Sequence, residues 1–249
     1  MCISARASLI SFFTNLLSCV ALVKFGNSNL RFYNYIFAAF LIFVSFMQLV
    51  DFGMWIDIDC KSGFNKLASA AGVILIYLQP LVLVMLYLYF VKSNMGESFY
   101  NKNIKSKEGS WFDHINLNSK KLNLIKIANI GYAILLIVAL GLFFRKALTT
   151  NPELLCTTPV EGNLRWKWFG SGILPVTLLG WFFHFGALNI LAINPWSSYI
   201  KLSLVIFYFM FFGTLILKKY KVSELWCYLI NFSALVLLVL QKVFPRQLS

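Results

Sequence analysis

Apolar residues fill this chain in seven long runs, separated from one another by more polar stretches. An α-helix needs about 20 apolar residues to cross the hydrocarbon core of a bilayer. The runs are continuous and do not alternate with a period of two, so a transmembrane β-barrel is not favoured. The pattern therefore predicts seven transmembrane helices. They lie at Ser8–Val23, Tyr35–Trp55, Leu67–Val91, Leu124–Phe144, Trp168–Leu191, Tyr199–Leu217 and Leu225–Val243.

The fold class expected from these runs is all-α. Lipid offers no hydrogen-bond partner to a free backbone N–H or C=O group, so each run must be helical. Most connections are short, which places consecutive helices antiparallel and adjacent. With 249 residues, the chain leaves little sequence for a soluble catalytic domain. We expect a polytopic membrane protein in which residues 1–249 form a single domain, one bundle of seven transmembrane helices.

One connection is long. The segment 92–123 carries six lysines and only three acidic residues, and Trp111, Phe112 and Ile115 interrupt its polar run. Aromatic and apolar residues among lysines are typical of a segment that lies in the membrane interface. We therefore expect a basic interfacial loop here, as a hairpin or a short amphipathic segment.

Composition supports a membrane setting and argues against a nucleic-acid partner. Hydrophobic residues make up 59% of the chain and charged residues 12%, whereas soluble domains carry about 25% charged residues. The net charge of +13 comes from 22 Lys and Arg spread over nearly every loop. Basic side chains at helix ends commonly reach lipid headgroups. The expected partner is thus the lipid bilayer, and no nucleic acid.

The distribution of charge and cysteine gives an expected orientation. A small excess of Lys and Arg favours an external or lumenal N-terminus and a cytoplasmic C-terminus. Cys60 and Cys156 fall in loops on the same expected side, where a disulfide would require an oxidising compartment. Their separation in space cannot be read from sequence, so two unpaired thiols remain the alternative.

The most informative polar residues lie on the second predicted helix. Ser45, Gln48, Asp51 and Trp55 follow spacings of three or four and so share one helix face. An ionisable group at bilayer depth costs about 2.5–3.5 kcal/mol on insertion scales and invites a functional hypothesis. Asp51 is predicted to bind a cation, a proton or a basic ligand group. The alternative is that it pairs with Lys66 or a polar neighbour and only fixes helix packing.

The third predicted helix combines small residues with a proline. It opens with Asn65 and Lys66, and the small residues of 68–72 favour close approach of a neighbouring helix. Pro80 removes a backbone donor, so a kink is expected near mid-membrane. Gln79 either satisfies that defect or lines a polar cavity.

The fifth and seventh predicted helices supply further polar candidates. His184 could change its charge near neutral pH, although a lone histidine in a span is commonly a packing residue. Glu224 suits the positive end of the seventh helix, and Asn231 lies on the same face. Under the expected orientation these two begin on the same side as Asp51, which predicts a polar pocket between helices two, three and seven.

Several kinds of site are not indicated. No His, Cys or carboxylate stands at ligand spacing from His184, so no metal site is predicted. The chain shows no Gly-rich phosphate loop and no Ser-His-Asp set. No cofactor is expected. An intramembrane enzyme is not favoured, because no nucleophile–base pair is visible.

One set of motifs resembles an uncharacterised multi-spanning membrane protein family of large DNA viruses and protists. The resemblance covers about residues 47–80, and Leu225-Trp226-Cys227 is similar to a second family motif. In that family a Glu is expected where this chain has Asp51. The resemblance implies a shared polar site but no activity. It is carried by Met47-Gln48-Leu49-Val50-Asp51, Trp55, Cys60, Asn65-Lys66 and Gln79-Pro80.

These observations favour a channel or transporter for an ion, proton or small polar solute, with Asp51 as the key charge. Two alternatives stay open. One is a receptor-like or sensor bundle whose outer loops are tied by Cys60 and Cys156. The other is a structural or assembly protein of a viral or organelle membrane. For any of the three, assembly as a homo-oligomer or within a membrane complex stays open. The residues expected to line a route are Gln48, Gln79, Glu224 and Asn231, with His184 deeper.

Overall fold

The computed structural model describes residues 4–91, 119–160, 163–167 and 222–243. Within them the chain forms five long α-helices, two short 3-10 helices and one antiparallel β-hairpin. The helices are α1 (Ala5–Phe25), α2 (Arg31–Ile56), α3 (Phe64–Val91), α4 (Ser119–Thr149) and α5 (Val222–Val243), and the strands are β1 (Thr158–Val160) and β2 (Asn163–Arg165).

Four of these helices are long and apolar enough to cross a membrane, as expected of an integral membrane protein. The candidate spans are Ala5–Phe25, Ser28–Ile56, Phe64–Phe90 and Lys126–Thr149. They confirm the first four predicted helices. The seventh predicted run also forms a helix, α5, and the part of it whose side chains the structure describes, Phe232–Val243, is apolar. The runs at 168–191 and 199–217, and the loop 92–118, lie outside the described residues.

Helix α4 is longer than its apolar run. It has 31 residues, about 46 Å at 1.5 Å per residue, against a hydrocarbon core of about 30 Å. The predicted helix, 124–144, is too short at both ends. The prediction followed the apolar run alone, whereas a helix can continue through polar residues outside the lipid because its backbone still satisfies its own hydrogen bonds. Arg145 and Lys146 occupy the last turns, where long basic side chains can reach the headgroups.

Helix α2 is the centre of the described bundle, since it packs against α1, α3 and α5. A continuous core of buried side chains joins these helices, including Leu22, Ile36, Tyr87 and Ala234. Helix α4 packs on α3 instead, through side chains such as Tyr132. Large apolar residues on α4, including Ile134, Ile137 and Leu142, are exposed, and in a bilayer such a face meets lipid.

A buried amide joins α1 to α2 within the membrane. Asn15 is fully buried, and its Nδ2 donates to the carbonyl oxygen of Leu41 at 2.9 Å. The Sγ of Cys19, one turn further along, lies 3.8 Å from Asn15 Oδ1. In lipid an unpaired amide costs several kcal/mol, so this bond fixes which face of α1 meets α2.

A second amide pair joins α5 to the turn between α1 and α2. We call this end of the bundle, around Gly26–Arg31, the turn end. Gln241 Nε2 donates to Asn34 Oδ1 at 2.8 Å, and Gln241 Oε1 accepts from the backbone N–H of Asn27 at 2.8 Å. A Cβ on Gly26 would collide with Leu22 O and Asn34 Nδ2, so only glycine admits this close approach.

Replacing Gln241 by Leu removes this junction, and we expect the free energy of unfolding to fall by about 2 kcal/mol. The half-buried Asn27 N–H and the buried Asn34 amide would lose their partner, and a buried polar group without one costs about 1–3 kcal/mol. Reversible unfolding of the full chain in mixed detergent micelles measures the change. Lys242→Leu, an exposed neighbour, is the matched control. An equal effect of both variants would contradict the assigned role.

Candidate functional site

The polar stripe predicted on α2 lies inside the bundle. Ser45, Gln48 and Asp51 are 1%, 2% and 0% exposed, and both carboxylate oxygens of Asp51 are buried. Trp55, at the end of the stripe, is half-buried. Ser45 Oγ donates to the backbone carbonyl of Ile42 at 2.7 Å. The stripe therefore presents a carboxyl and an amide to the protein interior, less than one helix turn apart.

Lys66 does not neutralise Asp51. Lys66 is exposed in the first turn of α3, whereas Asp51 is enclosed. No ion pair joins these two described residues. The ion pair with Lys66 is therefore not formed, and the carboxyl faces the interior of the bundle. A packing role of Asp51 through another polar neighbour stays the alternative.

Small residues hold α3 close to this face of α2. A Cβ on Gly72 would lie 3.1 Å from Val50 and 3.5 Å from the methyl of Met54, and a Cβ on Gly53 would lie 3.1 Å from Ala68. Such distances leave no room for larger side chains between the helices. The small residues at the start of α3 thus permit the close helix contact that their composition indicates.

Gln79 and Pro80 are both buried within α3. Proline supplies no backbone N–H to the preceding turn. In that turn the hydroxyl of Tyr132, from α4, donates to the carbonyl oxygen of Tyr77 at 2.7 Å. This hydrogen bond joins α4 to α3 beside the proline.

The opposite end of the bundle from the turn end is closed by a structure that we call the cap. It consists of the loop 57–63 between α2 and α3 and of residues 150–160 and 163–167 after α4. Cys60 and Cys156 form a disulfide across it, with their Cα atoms 5.9 Å apart. Cys60 adopts a positive φ of 57°, a conformation that disfavours residues other than glycine. Of the two alternatives left open by the sequence, a disulfide or two unpaired thiols, the structure has the disulfide.

The side chain of Asn65, in the first turn of α3, joins the segment after α4 to the end of α2. Its Nδ2 donates to the carbonyl oxygen of Thr157, and its Oδ1 accepts from the N–H of Thr157, both at 2.9 Å. The Nδ2 also donates to Met54 O at 3.0 Å. Ser69 Oγ and Thr157 Oγ1 lie 2.8 Å apart. All four residues are fully buried, so this group fixes the cap on α2 and α3.

Asp57 orders the first turn of α3. Its Oδ2 accepts from the backbone N–H of Asn65 and its Oδ1 from that of Ser62, both at 3.1 Å. The Asn65 bond is the main reason that the pKa of Asp57 is lowered to about 2, because hydrogen bonds to a carboxylate favour its charged form. The negative charge also suits the positive end of a helix.

Apolar contacts extend the cap towards Asp51. Leu164, on β2, is buried against Val50, Met54 and Ala68. Met54 is three residues beyond Asp51, about 4.5 Å along the helix axis. The cap therefore covers the ends of α2 and α3 within one turn of the carboxyl.

The remaining predicted site residues are placed only in part. Helix α5 runs antiparallel to α2, because Gln241 lies at the turn end. Its N-terminus, with Glu224, therefore lies towards the cap. The side chains of Glu224, Trp226 and Asn231 are outside the described part of the chain, and so is the whole of His184.

Sequence reasoning missed the amides that join the helices and the cap. Isolated polar residues inside apolar runs were the available signal for Asn15 and Gln241, and nothing in the sequence indicated their partners. Among the described residues, no group of three or more His, Cys, Asp or Glu side chains could hold a metal ion. Comparison with protein families, curated proteins and solved structures finds no match.

Replacing Asn65 by Ala tests whether this amide fixes the cap. We expect the free energy of unfolding to fall by about 3 kcal/mol, since several buried partners lose their hydrogen bonds at once. Asn151→Ala is the control, because Asn151 is exposed on the same cap and its side chain makes no capping bond. Unfolding in mixed micelles under non-reducing conditions compares the two. Equal stability of both variants would show that the amide is dispensable.

The lowered pKa of Asp57 predicts a pH dependence. A carboxyl whose pKa is lower in the folded state stabilises the fold above its unfolded value, near 4, and this stability is lost as the pH falls towards 2. Asp57→Asn should therefore lower the unfolding temperature at pH 7, with the difference shrinking between pH 4 and pH 2. Asp59→Asn, which removes an exposed carboxylate, should follow the native protein. A constant difference for Asp57→Asn across that range would refute the assignment.

Proposed function

We propose that this protein is a membrane channel or transporter that binds an ion, a proton or a small polar solute at Asp51. One observation carries the proposal: a carboxyl group with both oxygens buried lies in the bundle interior, on a stripe with buried Gln48 and Ser45. Oxygen and amide groups at this spacing can replace part of the hydration shell of a permeating species.

The energetics of burial support a binding role. An ionised carboxylate at bilayer depth is costly, and such groups in membrane proteins mark ion and proton pathways. Asp51 lies about 7.5 Å from the end of α2, five residues at 1.5 Å each. A bound cation or a proton would neutralise this charge in the site that we propose.

Seven helices and an external N-terminus belong to the same proposal. Helices α1 and α5 run in the same direction, since Asn27 and Gln241 meet at the turn end. That shared direction supports an odd number of spans from α1 to α5 inclusive, in keeping with the seven apolar runs. The disulfide of the cap favours an oxidising compartment on the side where the chain begins.

The rest of the route is proposed from the sequence together with the helix directions. Gln79 is buried on α3, and the N-terminal half of α5, which carries Glu224 and Asn231, lies towards the cap. We place these groups along the route, with His184 deeper. The resemblance to the viral and protist family implies the same polar site at Asp51.

The cap favours a second candidate, a receptor-like or sensor protein. A disulfide and the Asn65–Thr157 pair hold its two parts rigidly over α2 and α3. A rigid surface on the oxidising side is a suitable platform for a ligand or partner protein. In this second function Asp51 would respond to events at the cap, and no solute would cross.

Ion flux into liposomes tests the proposal. The purified full chain is reconstituted and the entry of H⁺, Na⁺ and K⁺ is followed with internal dyes over a range of pH. Asp51→Asn keeps the size and removes the charge, so flux should fall about tenfold or more. Gln48→Leu should reduce it too.

The matched control is Asp59→Asn, which removes an exposed carboxylate from the cap. It should retain the native flux. A native protein that passes no ion or polar solute at any pH would favour the receptor candidate. Equal flux through the native protein and Asp51→Asn would remove Asp51 from the route even if transport were real.

A further inference from the structure

A cavity of about 480 Å³ with two basic residues in its lining lies at the turn end, far from Asp51. Its size is within the range of small-molecule sites, about 300–1,000 Å³. The junction between α1 and α2 forms its walls. It is lined by Val23, Lys24, Gly26, Asn27, Ser28, Arg31, Asn34 and Tyr35.

Two cations face this cavity, and no described carboxylate neutralises them. Neither Lys24 nor Arg31 takes part in an ion pair within the described ranges. Each is adjacent to an aromatic ring: Lys24 Nζ lies 5.3 Å from the ring of Phe25, and Arg31 lies 5.9 Å from that of Tyr35. Cation–π contacts position the two groups without cancelling their charge.

Among the described residues, the charge at the turn end is also of one sign. The acidic side chains that the structure describes belong to the cap or lie near it. At the turn end the described ionisable groups at the helix termini are Lys24, Arg31 and Lys242, all basic. A cavity of this kind attracts anions. The acidic side chains that the structure describes are those of Asp51, Asp57, Asp59 and Glu153.

Hydroxyl groups and a rigid wall complete the cavity. The hydroxyls of Ser28 and Tyr35 make no hydrogen bond within the described part of the chain, so they remain able to donate. The opposite wall is fixed, because Asn34 and the N–H of Asn27 are held by Gln241. The cavity thus offers an anion two charges and two hydroxyls on a preformed frame.

We propose that this cavity binds a phosphate group, with Lys24 and Arg31 neutralising its charge and Ser28 and Tyr35 donating to its oxygens. Arginine and lysine are the usual phosphate-binding side chains. Helix ends lie at the level of the lipid headgroups, so an anionic lipid is one source of that phosphate and a soluble phosphate is the other. The inference does not depend on transport through the Asp51 site.

Native mass spectrometry of the full chain in detergent measures this binding. Phosphatidic acid and phosphatidylcholine are the lipid probes, and inorganic phosphate is the soluble one. Lys24→Gln/Arg31→Gln should weaken phosphatidic acid binding about tenfold or more, since two basic contacts are lost. Lys61→Gln/Lys66→Gln, which removes two exposed lysines at the cap, is matched in charge and should bind as the native protein does.

The outcomes separate the two sources of phosphate and test the site. Retention of phosphatidic acid in the presence of millimolar inorganic phosphate supports a lipid headgroup, and displacement by it supports soluble phosphate at the same site. Equal loss in both double variants, or no loss in the first, overturns the proposal. Binding of phosphatidylcholine by the native protein as strongly as phosphatidic acid also overturns the proposal. Lys24→Arg/Arg31→Lys keeps both charges and should restore binding, which separates loss of charge from loss of fold.

Discussion

The pairing of the Asn65 side chain with the backbone of Thr157 is the constraint on which the described structure depends most. One amide supplies an acceptor and a donor to a residue 92 positions away, as a neighbouring strand would in a sheet. It also bonds to the end of α2 through Met54 O. Three parts of the chain, α2, α3 and the segment after α4, therefore meet at one side chain, and the neighbouring disulfide keeps them together.

Polar junctions at both ends of the bundle give its interior a fixed frame. The cap holds one end, and the Asn34–Gln241 pair holds the other. Between them the helices that the structure describes meet mainly through small or apolar side chains; the polar exceptions include the Asn15 bond, the Tyr132–Tyr77 bond and the stripe on α2. A membrane bundle gains little from apolar contact alone, because lipid tails are as apolar as leucine. Its polar contacts therefore decide how the helices are arranged, and they leave Asp51 enclosed near the cap.

The helices could be predicted from the sequence, and the junctions could not. Runs of apolar residues determine where a chain can cross lipid, so α1, α2 and α3 were found within a few residues of their ends. The extent of α4 was underestimated, since polar residues continue a helix beyond the bilayer. The burial of Ser45, Gln48 and Asp51 on one face follows from their spacing. The partners of Asn65 and Gln241 do not, because pairing over 92 and 207 residues depends on how the helices pack.

The central claim is that the cap is fixed across the ends of α2 and α3. Peptide mapping of the intact membrane protein tests it most directly: free thiols are alkylated in the bilayer, the chain is digested without reduction, and linked peptides are identified by mass. The structure predicts that the peptides containing Cys60 and Cys156 are joined and that Cys19 carries a free thiol. Separate, alkylated peptides for Cys60 and Cys156, or a link from either to another cysteine, would contradict it.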